Sequence, residues 1–120
     1  PALAMLAAQR RGRTVFRGVR NLRTKESDRV AAITAALGTL GVSTQVRVDE
    51  LEVIGPIPDD GRLISVPTAA DHRIVMALAL LGTRLPGGIE VRNSEAVTKS
   101  WPGYWDWLGR CAEVVASDAA

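Results

Sequence analysis

The chain has 120 residues, of which 47% are hydrophobic and 23% are charged. This length provides one hydrophobic core but not two, and the composition is that of an ordinary globular protein. The formal net charge of +2 is too small to indicate a nucleic-acid-binding protein. No apolar stretch reaches the roughly 18 residues of a transmembrane helix. The single cysteine, Cys111, favours a reducing compartment, so we predict a cytoplasmic location.

The first third of the chain predicts a helix, a strand and a second helix. Residues 2–11 are apolar and rich in alanine, and residues 13–21 follow Gly12 and include three β-branched side chains, as is typical of a strand. Residues 26–40 predict a helix that ends at Gly41, because apolar side chains recur there at helical spacing. These side chains are Val30, Ile33, Leu37 and Leu40.

The remaining sequence alternates between strands and helices. We predict strands at 42–48, 50–55, 62–66 and 87–93 and helices at 70–85 and 101–116. The helix at 70–85 is apolar nearly all round, which indicates a buried helix. In the last helix we expect core packing of the side chains that share one face and burial of Cys111. The members of this face are Trp101, Tyr104, Trp105 and Leu108. We expect Trp107 to be partly exposed and residues 117–120 to form a disordered tail.

A short pattern occurs twice. The segment "VRN" followed by "TK" at Asn21 and Lys25 recurs at Asn93 and Lys99, each time after an apolar helix and before another predicted helix. This predicts an internal repeat of a βα-rich unit. The fold class is therefore α/β.

Charged side chains are crowded at the start of the helix near residue 26. Lys25 and Arg29 lie four residues apart with Glu26 beside them, at a helix N-terminus that attracts anions. Such a cluster is suited to holding an anionic ligand while a carboxylate moves a proton, but it is also typical of a solvated helix face. The segments "ADHR" and "TKSWP" place cations at two further helix starts, and such starts converge on one edge in βα architectures.

The segments "KESDR", "DHR" and "TKSWP" together resemble the 5-enolpyruvylshikimate-3-phosphate synthase family over nearly all 120 residues. The resemblance implies a fold of two domains, each made of three βαβαββ units with helices inside and sheets outside. Residues 1–120 would then be the C-terminal portion of one domain, with fewer than two complete units. The related UDP-N-acetylglucosamine enolpyruvyl transferases share the architecture but not this combination of motifs, and remain an alternative.

The resemblance also implies a reaction and roles for particular residues. The enolpyruvyl group of phosphoenolpyruvate would be transferred to the 5-hydroxyl of shikimate 3-phosphate, with release of phosphate and without a metal or other cofactor. This is a step of the shikimate pathway of aromatic amino-acid biosynthesis. Matched to the motifs, the catalytic acid/base is Glu26, the shikimate 3-phosphate ligands are Asn21 and Lys25, the phosphoenolpyruvate ligands are Arg29, Arg73 and Lys99, and the supporting residues are His72, Asp28 and Asp71.

The resemblance places other parts of the site outside this chain. The family's aspartate that handles the 5-hydroxyl proton would lie just upstream of Pro1, and further contacts would come from the N-terminal domain. We therefore expect the chain alone to be inactive. A non-catalytic module that binds a phosphosugar or another anion, a purely structural fragment and self-association of the chain remain open.

Overall fold

The computed structural model describes residues 1–19, 28–58 and 61–115. Its elements, in chain order, are α1 (Ala2–Ala8), β1 (Gly12–Arg17), α2 (Arg29–Thr39), β2 (Ser43–Arg47), β3 (Glu50–Gly55), β4 (Ile64–Val66), α3 (His72–Gly82), β5 (Ile89–Val91), a 3-10 helix (Ser94–Lys99) and α4 (Tyr104–Leu108). The α/β class is confirmed. No helix in the described ranges is long and apolar enough to span a membrane.

The helices form where apolar side chains recur at helical spacing. In α2, Val30, Ile33 and Leu37 are buried, as the sequence predicts, and so is Leu40 at its end. Gly41 then adopts a φ of 85°, a left-handed conformation that glycine tolerates best, and the chain leaves the helix there. The same reasoning predicts α3, whose apolar residues are buried on most sides.

The strands form two sheets. In the larger sheet, β3 lies between β1 and β2 and is antiparallel to both. The smaller sheet pairs β4 and β5 in parallel, with α3 as their connection. Helix α1 packs against α3 and β3, and α2 packs against β2 and β4. At Gly55 a Cβ would lie only 2.2 Å from the Arg10 carbonyl oxygen, so glycine permits this close passage of the chain over β3.

The two faces of the larger sheet differ in polarity. Leu51 and Val53 of β3 point into the main core and are 2% and 0% exposed. On the opposite face, Glu50 and Glu52 form ion pairs with arginines of the neighbouring strands. Because the strand period is two, this alternation fixes which face of the sheet meets the helices.

The C-terminal region differs from the predicted long helix at 101–116. That prediction is wrong: α4 covers only Tyr104–Leu108 and is preceded by a separate 3-10 helix. Gly103 and Gly109 flank α4, and glycine disfavours helix interiors. Cys111 consequently lies beyond the helix and is exposed, so its predicted burial is also wrong.

The aromatic cluster near α4 is only partly in the core. Tyr104 and Leu108 are buried, and Trp105 packs against the same cluster. Trp101 is 41% exposed, so the expected core packing does not extend to it, and Trp107 is partly exposed as predicted. The predicted tail at 117–120 lies outside the described residues.

Candidate functional site

The start of α3 is organised by one aspartate. Asp71 is the N-cap of this helix, and its Oδ1 accepts a hydrogen bond from the Arg73 backbone N–H at 2.9 Å. Its second carboxylate oxygen, Oδ2, accepts from the Nε of Arg29 at 2.8 Å. A single carboxylate therefore caps one helix and pairs with the first residue of another.

The start of α2 supplies the other half of this contact. Asp28 is the N-cap of α2 and accepts a hydrogen bond from the Ala31 N–H at 3.0 Å. Arg29 follows as the first helical residue, and its side chain is only 3% exposed where it meets the Asp71 side chain, which is 1% exposed. In this buried setting the attraction between the two charges is screened less than on the surface, and removal of either partner would leave the other charge buried and uncompensated. The two helix starts, which are distant in sequence, are thus joined.

The third motif is joined to the second by a histidine. The Nδ1 of His72 lies 2.7 Å from the Oγ of Ser100, a hydrogen bond in which either atom is the donor according to the histidine tautomer. Ser100 is the residue at the C-terminal end of the 3-10 helix and directly follows Lys99. The contact therefore links the start of α3 to the backbone next to Lys99.

The turn that leads into α3 is held in an uncommon conformation. Ala69 and Ala70 have φ values of 54° and 53°, in the left-handed region that alanine rarely occupies. The buried Thr68 fixes this turn, since its hydroxyl donates to the Arg92 carbonyl oxygen at 2.9 Å and accepts from the Ala70 N–H at 3.2 Å. The turn directs Asp71 towards Arg29.

The helices whose starts meet here are also held by α1, which packs against both α2 and α3. Arg73 follows His72 at the start of α3, and its side chain is exposed. The starts of α2 and α3 therefore meet at one buried ion pair, with an exposed cation beside it.

Known proteins share this arrangement of segments. A family profile described as EPSP synthase (3-phosphoshikimate 1-carboxyvinyltransferase) matches residues 1–108. The 3-phosphoshikimate 1-carboxyvinyltransferase of Syntrophobacter fumaroxidans is 42% identical over 106 residues, which are 88% of this chain and 25% of that protein. The protein of the same name from Thermococcus kodakarensis is 42% identical over 94% of this chain and 27% of its own length.

A solved structure agrees with the sequence relatives. The EPSP synthase of Acinetobacter baumannii superposes with a TM-score of 0.80 at 31% identity, over 93% of this chain and 26% of that one. The chain belongs to the EPSP synthase family. It spans about a quarter of the length of the curated relatives that it matches.

The structure brings together some of the residues that the sequence singles out. Arg29 bonds to Asp71, and His72 follows Asp71 in the chain. The backbone N–H of Arg73 also donates to Asp71. Asp28 caps α2. Asn21, Lys25 and Glu26 lie outside the described residues, as does the side chain of Lys99. The roles of all nine in the EPSP synthase reaction stay predictions.

Two residues of this region were missed by reasoning from the sequence. Ser100 stands inside the "TKSWP" motif, and its contact with His72 has no signal in the local pattern because the two are 28 residues apart. Thr68 stands three residues before the "DHR" motif. A threonine next to a proline does not by itself predict that the hydroxyl will hold the following turn by hydrogen bonds. Only the folded chain shows that both hold the EPSP synthase motifs in place.

Proposed function

We propose that this chain is the part of an EPSP synthase that supplies one side of its active site, in the cytoplasm. The reaction is transfer of the enolpyruvyl group of phosphoenolpyruvate to the 5-hydroxyl of shikimate 3-phosphate, with release of phosphate. The remaining three quarters of a family member would supply the opposite side. The observation that supports this proposal most strongly is the meeting of the three motif segments around Asp71 and His72.

The chemistry explains why cations gather at this edge. Both substrates are anions, and their carboxylate and phosphate groups, including the phosphate that leaves, are held by fixed positive groups in a site that excludes water. Arg73 is exposed at the start of α3 and is suited to contact a carboxylate through its planar guanidinium. Arg29 is buried and donates through its Nε to Asp71, so its role as a second ligand of the carboxylate rests on the motif.

The remaining roles follow from the motifs. Glu26 would transfer the proton to and from the methylene carbon of phosphoenolpyruvate, Lys99 would contact its phosphate, and Asn21 and Lys25 would hold shikimate 3-phosphate.

A chimaera tests the function. The chain would replace the matching quarter of the Syntrophobacter fumaroxidans relative, and phosphate release would be measured with both substrates present. We expect turnover, and we expect Glu26→Gln to reduce it by about 10²–10⁴-fold, since that is the usual contribution of a positioned acid/base. Glu95→Gln is the matched control, because Glu95 is an exposed acid in the first turn of the 3-10 helix.

Two results would contradict the proposal. A chimaera without turnover would show that the chain does not complete the site. Full turnover of Glu26→Gln, with shikimate 3-phosphate still bound, would show that this glutamate transfers no proton and would favour a binding role for the segment.

A further inference from the structure

The contact between His72 and Ser100 has a function of its own. We infer that Ser100 is a positioning residue that acts through His72 to place Lys99, an inference that rests on the proposed function. Ser100 directly follows Lys99, and its Oγ lies 2.7 Å from the Nδ1 of a histidine that is 9% exposed. No role is implied for this serine by the motif that it stands in.

The 3-10 helix is fastened to α3 at two points. Val97 is fully buried and packs in one cluster with Val75 of α3, which fixes the middle of the 3-10 helix. The backbone then turns back on itself, with the Ser100 and Trp101 N–H groups donating to the Val97 carbonyl oxygen at 3.0 and 2.7 Å. Val97 holds the middle of the helix by apolar contact, and the two backbone bonds hold its last residues to that middle. The side-chain bond from Ser100 to His72 ties the end of the helix to α3 as well.

The constraint acts on the cations assigned to one substrate. His72 stands between Asp71 and Arg73 at the start of α3, and Ser100 stands beside Lys99. The bond therefore fixes the backbone at Lys99 relative to the backbone at Arg73. Both residues are assigned to phosphoenolpyruvate, whereas Asn21 and Lys25, assigned to shikimate 3-phosphate, belong to a different segment. Loss of this hydrogen bond should therefore weaken the binding of phosphoenolpyruvate and leave the binding of shikimate 3-phosphate unchanged.

The size of the effect follows from the kind of contact. One hydrogen bond corresponds to roughly a 3- to 10-fold change in an equilibrium. In the chimaera we expect Ser100→Ala to raise the KM for phosphoenolpyruvate about 3- to 10-fold. The kcat and the KM for shikimate 3-phosphate should each change less than about 2-fold, because the proton-transferring group is not displaced. Ser100→Thr keeps the hydroxyl and should restore most of the affinity.

Ser94→Ala is the matched control. It is the same substitution on the same 3-10 helix, and in the described part of the chain its side chain makes no hydrogen bond. It should leave all three kinetic constants unchanged. If Ser94→Ala and Ser100→Ala behave alike, or if Ser100→Ala lowers kcat and both affinities together, the positioning role is wrong.

A double-mutant cycle shows whether Ser100 acts through His72. His72→Leu, Ser100→Ala and the double variant would be compared by kcat/KM for phosphoenolpyruvate. If the two side chains form one device, the double variant should lose no more than the worse single variant. Fold-losses that multiply would show that the two residues act independently and would overturn the inference.

A spectroscopic measurement separates this inference from the proposed function. The 15N resonance of His72 Nδ1 should shift in Ser100→Ala and not in Ser94→Ala, whether or not the chimaera turns over. If turnover is absent, the proposed function fails, and the dissociation constant for phosphoenolpyruvate measured by calorimetry then takes the place of KM. An unchanged His72 resonance, or an unchanged dissociation constant, would overturn the positioning role in either case.

Discussion

The starts of α2 and α3 use the same local device in different surroundings. Each helix has 11 residues, and each is capped by an aspartate in extended conformation with an arginine one or two positions later. Asp28 is exposed and bonds to the third residue of its helix, whereas Asp71 is buried and bonds to the second. The second oxygen of Asp71 accepts a hydrogen bond from Arg29. The same kind of cap therefore serves only its own helix at the surface, at Asp28, but joins α3 to α2 in the interior, at Asp71.

The two helices also differ in how they are braced. Helix α2 packs into the main hydrophobic core through one face. Helix α3 contributes to the main core and, through Val75 and Ala79, to a second cluster with Val97, Tyr104 and Leu108. The segment that carries the exposed cation Arg73 is therefore held on two sides. In an enzyme that must fix a charge for a transition state, the better-braced helix is the one suited to this task.

Asp71→Asn should reveal the largest difference between the two helix starts. Asparagine caps a helix about as well as aspartate does, but its single carbonyl oxygen cannot serve both the Arg73 N–H and Arg29. A buried arginine would then lose its counter-charge, and we expect the free energy of unfolding to fall by about 3–5 kcal/mol. Urea denaturation monitored by circular dichroism measures this change.

Asp28→Asn is the control for that experiment. The same substitution at the exposed cap should cost far less than at Asp71, because the capping acceptor is retained and charge interactions at an exposed site are screened by solvent. Equal losses at the two positions would mean that Arg29 finds compensation elsewhere and that the buried pair does not distinguish the two helix starts.

Tyr104→Phe tests the second brace of α3. The Tyr104 hydroxyl donates to the Met76 carbonyl oxygen of α3 at 2.8 Å, and its loss should cost about 1–2 kcal/mol. Burial raises the pKa of Tyr104 to about 12. The folded state therefore holds this proton more tightly than the unfolded chain, whose tyrosine titrates near 10. The stabilisation is complete below about pH 10 and is lost as the pH rises through 12.

The measurement is direct because the chain has 1 tyrosine. Its absorbance near 295 nm should titrate close to pH 12, and the unfolding free energy of the unsubstituted chain should fall between pH 10 and 12 more steeply than that of Tyr104→Phe. If Tyr104 titrates near pH 10 in the folded chain, its hydroxyl is not buried against α3, and this brace of α3 is absent.

The two helix starts also show how far the sequence predicts the structure. The spacing of Val30, Ile33 and Leu37 predicts α2, and a similar apolar run predicts α3, because periodic burial is a local signal. The motif letters also predict that cations gather at helix starts. The sequence does not predict the ion pair between Arg29 and Asp71. These residues are 42 positions apart, and their bond depends on how α2 and α3 pack against each other.

The C-terminal region shows the opposite limit. The run from Trp101 to residue 116 has helical composition, yet the α-helix covers only Tyr104–Leu108. None of the residues described beyond Gly109, up to residue 115, is buried, and Val115 is 75% exposed. Helical stability in proteins comes mostly from burial of an apolar face, so composition alone overestimates the length of such a helix.

Ala70→Gly should produce a small effect of the opposite sign. Ala70 is exposed and has a φ of 53° just before Asp71, a conformation that costs alanine energy and glycine very little. The substitution should therefore raise the free energy of unfolding by about 1 kcal/mol, even though glycine also loosens the unfolded chain. Ala35→Gly is the matched control, since Ala35 is an exposed alanine inside α2, where glycine should cost about 1 kcal/mol. Thermal denaturation measures the melting temperature of each variant relative to the unsubstituted chain, and we expect an increase for Ala70→Gly and a decrease for Ala35→Gly. If the two substitutions shift the melting temperature in the same direction, the turn before α3 is not strained, and the aim of Asp71 at Arg29 must come from helix packing alone.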